Sequence, residues 1–257
     1  ADADTATLET ARDLAHIARE CRVICLSLPH PPVFVAVVRQ LLETLSPGFV
    51  IVDFGTALPS QAREVAAACS ERGGALLEAP VSGGAAGAQQ AALRIFAAGD
   101  VTKFESVKPI LESVGDPERV VYCGPSGLGQ AVKAANQLMM GLVNAALLES
   151  ASVGLQLGVE PDVLDHALGG RGGARALLRA VLQRIGTGTG EEIGVKSLQL
   201  VDYAREADAT GLRLPMTSAL ADFLGDAEPC VQEANRFSPS FLRELLRESR
   251  DTNPTLH

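Results

Sequence analysis

Residues 22–28, Arg-Val-Ile-Cys-Leu-Ser-Leu, are almost continuously apolar and end at Pro29. Such a run leaves no face for water, as expected of a strand covered by helices on both sides of a parallel sheet. Apolar residues then recur at helical spacing, at Val33, Val37, Val38, Leu41, Leu42 and Leu45, until Pro47-Gly48 stops the helix. A second apolar strand is read at 49–53, an Ala-rich helix at 60–72 ended by Gly73-Gly74, and a third strand at Ala75–Glu78 leading into a turn at 80–84. The order β-α-β-α-β with short links predicts parallel strands joined by right-handed crossovers. Leu93–Ala97, a helix over Val101–Val114 and a strand at 120–122 extend the same sheet.

Everything beyond Gly124 reads as helix. From about residue 126 to 158 the chain is apolar around most of a helical circumference, with Leu138, Met139, Leu142, Val143, Leu147 and Val153 interleaved with Gly141, Ala145, Ala151 and Gly154. A helix of this kind is buried on several sides, and its small residues allow another helix to approach closely. Shorter helices are expected at 161–168, 173–185, 192–209, 213–225 and 238–249, with a frayed polar tail at 251–257. The change of pattern divides the chain into an α/β domain at 1–124 and an all-α domain at 125–257.

With 47% hydrophobic and 21% charged residues in 257, the composition is that of a globular protein. The net charge of −9 opposes attraction to nucleic acid or anionic membrane surfaces, so a small-molecule partner is expected. The five cysteines (Cys21, Cys25, Cys69, Cys123 and Cys230) form no C-x-x-C pair and have no His-rich partner segment. Neither a disulfide framework nor a metal site is indicated, and buried reduced thiols in a cytoplasmic protein are expected. No uninterrupted apolar run approaches a membrane span, and the start, Ala-Asp-Ala-Asp, is the opposite of a signal-peptide n-region. The absence of an initiator Met points to a natural start elsewhere.

Two segments carry the chemistry. Glu78-Ala-Pro-Val-Ser-Gly-Gly84 leaves the third strand with consecutive glycines, which either supply a tight turn or let backbone N–H groups of Ser82, Gly83 and Gly84 face a substrate carboxylate. Lys133, Asn136 and Gln137 fall at i, i+3 and i+4 on one face of the long helix. A lysine there either extends its charge to water or, once buried, accepts a proton from an alcohol being oxidised. The turns at Leu28-Pro29 and Gly55-Thr56 lie at the carboxyl ends of successive strands, where open α/β sheets bind ligands; Thr56 contacts a ligand there or serves the next helix start. Gly186–Gly190 lacks a preceding strand and a P-loop lysine, and reads as an inter-helix loop. Arg171, Arg175 and Arg179 form a helical stripe, and His16, His30, His166 and His257 show no triad or metal spacing.

The Glu-Ala-Pro-Val-Ser-Gly-Gly run with Gly87 and Ala88 resembles the substrate loop of the β-hydroxyacid dehydrogenase family, which includes 3-hydroxyisobutyrate dehydrogenases and 2-hydroxy-3-oxopropionate reductases. Leu28-Pro29, Val52-Asp53-Phe54-Gly55-Thr56, Gly127-x-Gly129-x-x-x-Lys133 and Lys196-x-Leu198-x-Leu200 are similar to the family in order and spacing. The resemblance implies a Rossmann-like domain followed by an all-α domain like that of 6-phosphogluconate dehydrogenase. It implies Lys133 as the catalytic residue and Ser82, Gly83, Gly84, Asn136 and Gln137 as substrate-binding residues. Leu28, Pro29, Thr56 and Lys196 would border NAD or NADP. The activity so implied is hydride transfer between a nicotinamide cofactor and a small β-hydroxy acid or semialdehyde, in a homodimer or homotetramer. Asn136-Gln137 is similar to the tartronate semialdehyde reductase branch, and Ser197 stands where the family has Asp.

The glycine fingerprint G-x-G-x-x-G of dinucleotide folds does not occur. Residues 5–8 resemble the short strand and helix start that come after that unit in the family, so about 30 residues, one βαβ unit, are expected to be missing. On that expectation the chain is deficient in cofactor binding, and the 22–28 strand is an edge strand or pairs with another chain. A non-catalytic relative kept for dimerisation or ligand sensing is the alternative, and an imine reductase a third reading.

Overall fold

The computed structural model describes residues 9–29, 31–225, 229–233 and 236–252. The expected short strand at 5–8, His30 and His257 lie outside them. Two compact units divide at Ala135 and Asn136, eleven residues beyond the expected change of domain.

The first unit runs α1 (Leu14–Glu20), β1 (Val23–Leu26), α2 (Pro31–Thr44), β2 (Val50–Asp53), α3 (Pro59–Glu71), β3 (Ala75–Glu78), β4 (Val81–Ser82), α4 (Gly84–Gln89), β5 (Leu93–Ala97), α5 (Val101–Val114) and β6 (Gly115–Tyr122). Strands β1, β2 and β3 are parallel and adjacent in that order. The apolar runs alternate between two cores because successive side chains leave a strand on opposite faces. Ile51 and Leu76 pack with Phe34, Val38 and Leu41 of α2 and Val65 and Cys69 of α3. Val50, Val52 and Leu77 pack on the other face with Phe104, Val107 and Leu111 of α5. Leu41, Ile51 and Leu111 have no exposed surface, and each such burial stabilises by about 1.5–3 kcal/mol.

Strand β1 has one neighbour, β2, so it is the end strand among the described residues, with Val23 and Cys25 facing outward. The rest of the sheet is less regular than the apolar pattern suggests. Residues 81–82 form β4, antiparallel to β5, and the expected turn begins only at Gly83. Strands β5 and β6 are parallel, and an antiparallel bridge between Glu78 and Ala98 ties them to β3.

Helix α6 (Leu128–Gln156) belongs to both units. It is long and apolar enough to cross a membrane by length and composition, contrary to the reading from uninterrupted runs. Polar residues such as Lys133, Asn136, Asn144 and Glu149 break the apolar runs, yet the Leu, Met, Val and Ala positions keep the mean hydropathy of the helix high. The second unit adds α7 (Pro161–Leu168), α8 (Gly173–Gly186), α9 (Ser197–Asp208), α10 (Pro215–Leu224) and α11 (Phe241–Thr252). It also contains a two-stranded antiparallel hairpin, β7 (Pro229–Glu233) with β8 (Arg236–Pro239), in a region expected to be helical throughout. Its core gathers Leu148, Val181, Val195, Leu200, Leu220 and Phe241.

The small residues of α6 are used within the chain. A Cβ on Gly141 would lie 2.5 Å from the Val195 carbonyl oxygen, and one on Gly154 would lie 2.7 Å from Leu164 Cδ2. The thiols also depart from expectation: Cys21 and Cys25 are exposed, and among the described side chains only Cys69 is a buried thiol, which removal from water pushes up to about 12.

Candidate active site

Within the first unit the site grows from the carboxyl ends of β2 and β3. Parallel register pairs Asp53 with Glu78, and both side chains are buried. Asp53 Oδ1 accepts the Gly55 N–H at 3.0 Å, which shapes the loop carrying Thr56. Burial raises the Asp53 carboxyl to about 7, against the Gly55 hydrogen bond and with a smaller push from the Glu78 charge.

Glu78 reaches the start of α6. Its Oε1 accepts the Gly127 N–H and its Oε2 accepts the Gln130 N–H at 3.1 Å. A carboxylate suits that position, since the first N–H groups of a helix lack intrahelical partners and carry partial positive charge. Burial pushes the Glu78 carboxyl upward, while both N–H bonds and the Arg63 guanidinium pull it down. The glycines of Gly127-x-Gly129 are explained by this contact. Gly127 has φ +94, and a Cβ on Gly129 would lie 2.5 Å from the Phe96 carbonyl oxygen and 3.2 Å from Glu78 Oε2.

Gln130, fully buried, accepts the Ala57 N–H at 3.1 Å and donates to the Gly55 carbonyl at 3.1 Å. One side chain thus fixes the β2–α3 loop to the first turn of α6. Lys133 lies one helical turn further on and is 6% exposed, and its Nζ donates to the Val81 carbonyl at 2.7 Å. The ammonium therefore sits directly before Ser82-Gly83-Gly84. Ser82 is half-buried and paired in register with Arg94, while Gly83 and Gly84 are exposed with φ +138 and +63. A Cβ on Gly84 would meet nothing within 4 Å, so backbone conformation alone demands glycine there.

Of the other expected residues, Leu28 and Thr56 are half-buried and Pro29 exposed, each just past its strand. In the second unit, Asn136 Nδ2 donates to Gln137 Oε1 at 3.3 Å and Gln137 Nε2 donates to Gln199 Oε1 at 3.0 Å. Lys196 takes the left-handed conformation at φ 61, half-buried, and burial lowers the pKa of its ammonium. The Ser197 side chain lies outside the described residues. Arg175 Nη1 donates to the Leu168 carbonyl and Arg179 Nε pairs with Asp165 at 2.8 Å, so two arginines of the stripe serve the α7–α8 packing. No group of three metal-ligating side chains occurs among the described residues.

Glu78, Gln130 and Gln199 were not singled out from the sequence. A Gln on the first turn of an apolar helix, three residues before a lysine, is the signal that the sequence offered for Gln130.

Residues 2–124 match the family described as the NAD binding domain of 6-phosphogluconate dehydrogenase. A probable mitochondrial 3-hydroxyisobutyrate dehydrogenase of Dictyostelium discoideum is 32% identical over 157 residues, 60% of this chain and 48% of that one. The 2-hydroxy-3-oxopropionate reductase of Escherichia coli is 33% identical over 174 residues, 66% of this chain and 59% of that one. By these matches the chain is similar to the β-hydroxyacid dehydrogenase family. The solved 3-hydroxyisobutyrate dehydrogenase of Mycobacterium tuberculosis with L-serine shares the fold, at a TM-score of 0.71 and 24% identity, covering 93% of this chain and 83% of that one. The chain spans about half the length of the first relatives it matches.

Proposed function

We propose that this protein is an NAD(P)-dependent oxidoreductase that moves a hydride between a nicotinamide cofactor and a small β-hydroxy acid or semialdehyde. The observation that carries this reading is the buried Lys133 ammonium, 2.7 Å from the Val81 carbonyl and directly before Ser82-Gly83-Gly84. The turn offers backbone N–H groups and a hydroxyl to a carboxylate, and Lys133, as its neutral amine, takes the proton of the adjacent alcohol as its carbon is oxidised and so becomes the ammonium. In the reducing direction Lys133 returns that proton to the carbonyl oxygen. Asn136 and Gln137, next on the same helix face, hold substrate oxygens.

NAD or NADP, when bound, supplies the hydride acceptor or donor. The loops at the ends of β1 and β2 fit the nicotinamide end: Leu28 and Pro29 follow one strand, and the Thr56 loop is pinned by Asp53 and Gln130. Lys196 of the second unit is the family's cofactor-side lysine. The sequence holds no G-x-G-x-x-G pattern for the pyrophosphate. A second reading is a relative that keeps the fold for binding without turnover.

The net charge supports a protein that acts on neither nucleic acid nor membrane, and the sequence resemblance implies a cytoplasmic homodimer or homotetramer. With small β-hydroxy acids and either cofactor, Lys133→Ala should lower kcat by about 10²–10⁴-fold and leave cofactor affinity nearly unchanged. An unchanged kcat would remove Lys133 from proton transfer. Saturable cofactor binding without turnover of any hydroxy acid by the unaltered protein would favour the second reading.

A further inference from the structure

Two contacts, one helical turn apart on α6, hold the chain that leaves β3. The first is the Glu78 carboxylate on the Gly127 and Gln130 N–H groups, and the second is the Val81 carbonyl on Lys133 Nζ. Between Glu78 and Val81 lie only Ala79 and Pro80, both buried, and the proline ring fixes one of the few backbone torsions left in the segment. Gln130 and Lys133 are three residues apart, about 4.5 Å of helix rise. The segment and the helix turn therefore close a short ring through the two contacts, and neither can shift along the other without breaking one.

We propose that Glu78 is a positioning residue: its carboxylate sets the depth and register of the first turn of α6 and thereby places the Lys133 ammonium at the Val81 carbonyl. Gln130 has a separate task, fixing the Thr56 loop to the same turn through Gly55 and Ala57. The acid is suited to its place because two N–H donors converge on it. An amide offers one acceptor oxygen and turns an N–H toward the other donor, so Glu78→Gln keeps the shape and loses the match.

The catalytic meaning of this placement rests on Lys133 being the proton-transfer residue, but its physical test does not. Trace acylation with acetic anhydride, read lysine by lysine by mass spectrometry, reports how firmly the Lys133 amine is held, with Lys103 and Lys108 on α5 as internal standards. In the 257-residue chain, Glu78→Gln should raise acylation of Lys133 relative to the standards by about tenfold. Gln130→Met, which frees the Thr56 loop but keeps both backbone donors to Glu78, should leave Lys133 within about twofold of the unaltered chain.

Unchanged Lys133 acylation in a folded Glu78→Gln protein would overturn the proposal. So would an equal rise in both variants, because that marks general loosening of the unit. Should Glu78→Gln fail to fold by circular dichroism, Glu78→Asp decides: it retains the charge on a shorter arm, and an intermediate rise supports the proposal while no rise overturns it. Full turnover by Lys133→Ala alongside the expected acylation pattern would sink the catalytic reading and leave the positioning intact.

Discussion

Asp53 and Glu78 are neighbours in register, and each carboxyl is removed from water, but their partners differ. Glu78 meets two helix N–H donors, whereas Asp53 accepts the Gly55 N–H, and burial raises it from 3.8 to about 7. Between those two values the folded chain holds a proton that the unfolded chain has released. The free energy of unfolding therefore falls as pH rises through that window, by up to about 1.4 kcal/mol per unit, and levels off above it. The upward displacement of Glu78 acts in the same direction. Thermal unfolding should show a lower Tm at pH 8 than at pH 5. Asp53→Asn keeps an oxygen acceptor for Gly55 and should raise the Tm at pH 8 while flattening most of the slope. An unaltered slope in that variant would show that Asp53 is not the group responsible.

Helix α6 shows what an element adds to its residues. Its glycines look like weak points by helix propensity, yet two of them are sites of backbone approach, Gly129 to β5 and Gly141 to the segment before α9. Gly129→Ala should cost about 1–3 kcal/mol, because the clash is with a strand carbonyl and not with the end of a flexible side chain. A Tm equal to that of the unaltered chain would refute this close contact. The parallel strands were legible because Val50 to Val52 and Leu76 to Leu77 are apolar on both faces, a pattern that only a two-sided core explains. Lys133 on its helix face and the Gly83-Gly84 turn were each legible as a local pattern. Strand β4 was not, since two residues carry no periodicity and its pairing depends on β5, eleven positions away. Nor was the Glu78 clamp, because a Glu ending a strand reads as solvated until the helix start some fifty positions later is seen to lie on it.

Among the described residues, helix α6 carries a long apolar side that the chain's own packing leaves exposed. Leu128, Val132, Met139 and Val153 are 43%, 40%, 55% and 62% exposed, and with exposed Ala146 they fall on one side of α6 at steps of four and seven residues. The tight glycine contacts of α6 with Val195 and Leu164 face other parts of the same chain, so they do not provide the association surface that small residues suggested. The exposed stripe is the candidate instead, being long and largely apolar with Glu149 beside its C-terminal half, which is the character of a face that pairs with a second copy. A homodimer, or a multiple of it, is expected by analytical ultracentrifugation at micromolar concentration. Met139→Glu combined with Val153→Glu places two like charges on that stripe and should give monomers of unchanged helicity. Monomers from the unaltered chain, or dimers that survive both charges, would remove α6 as the contact between subunits.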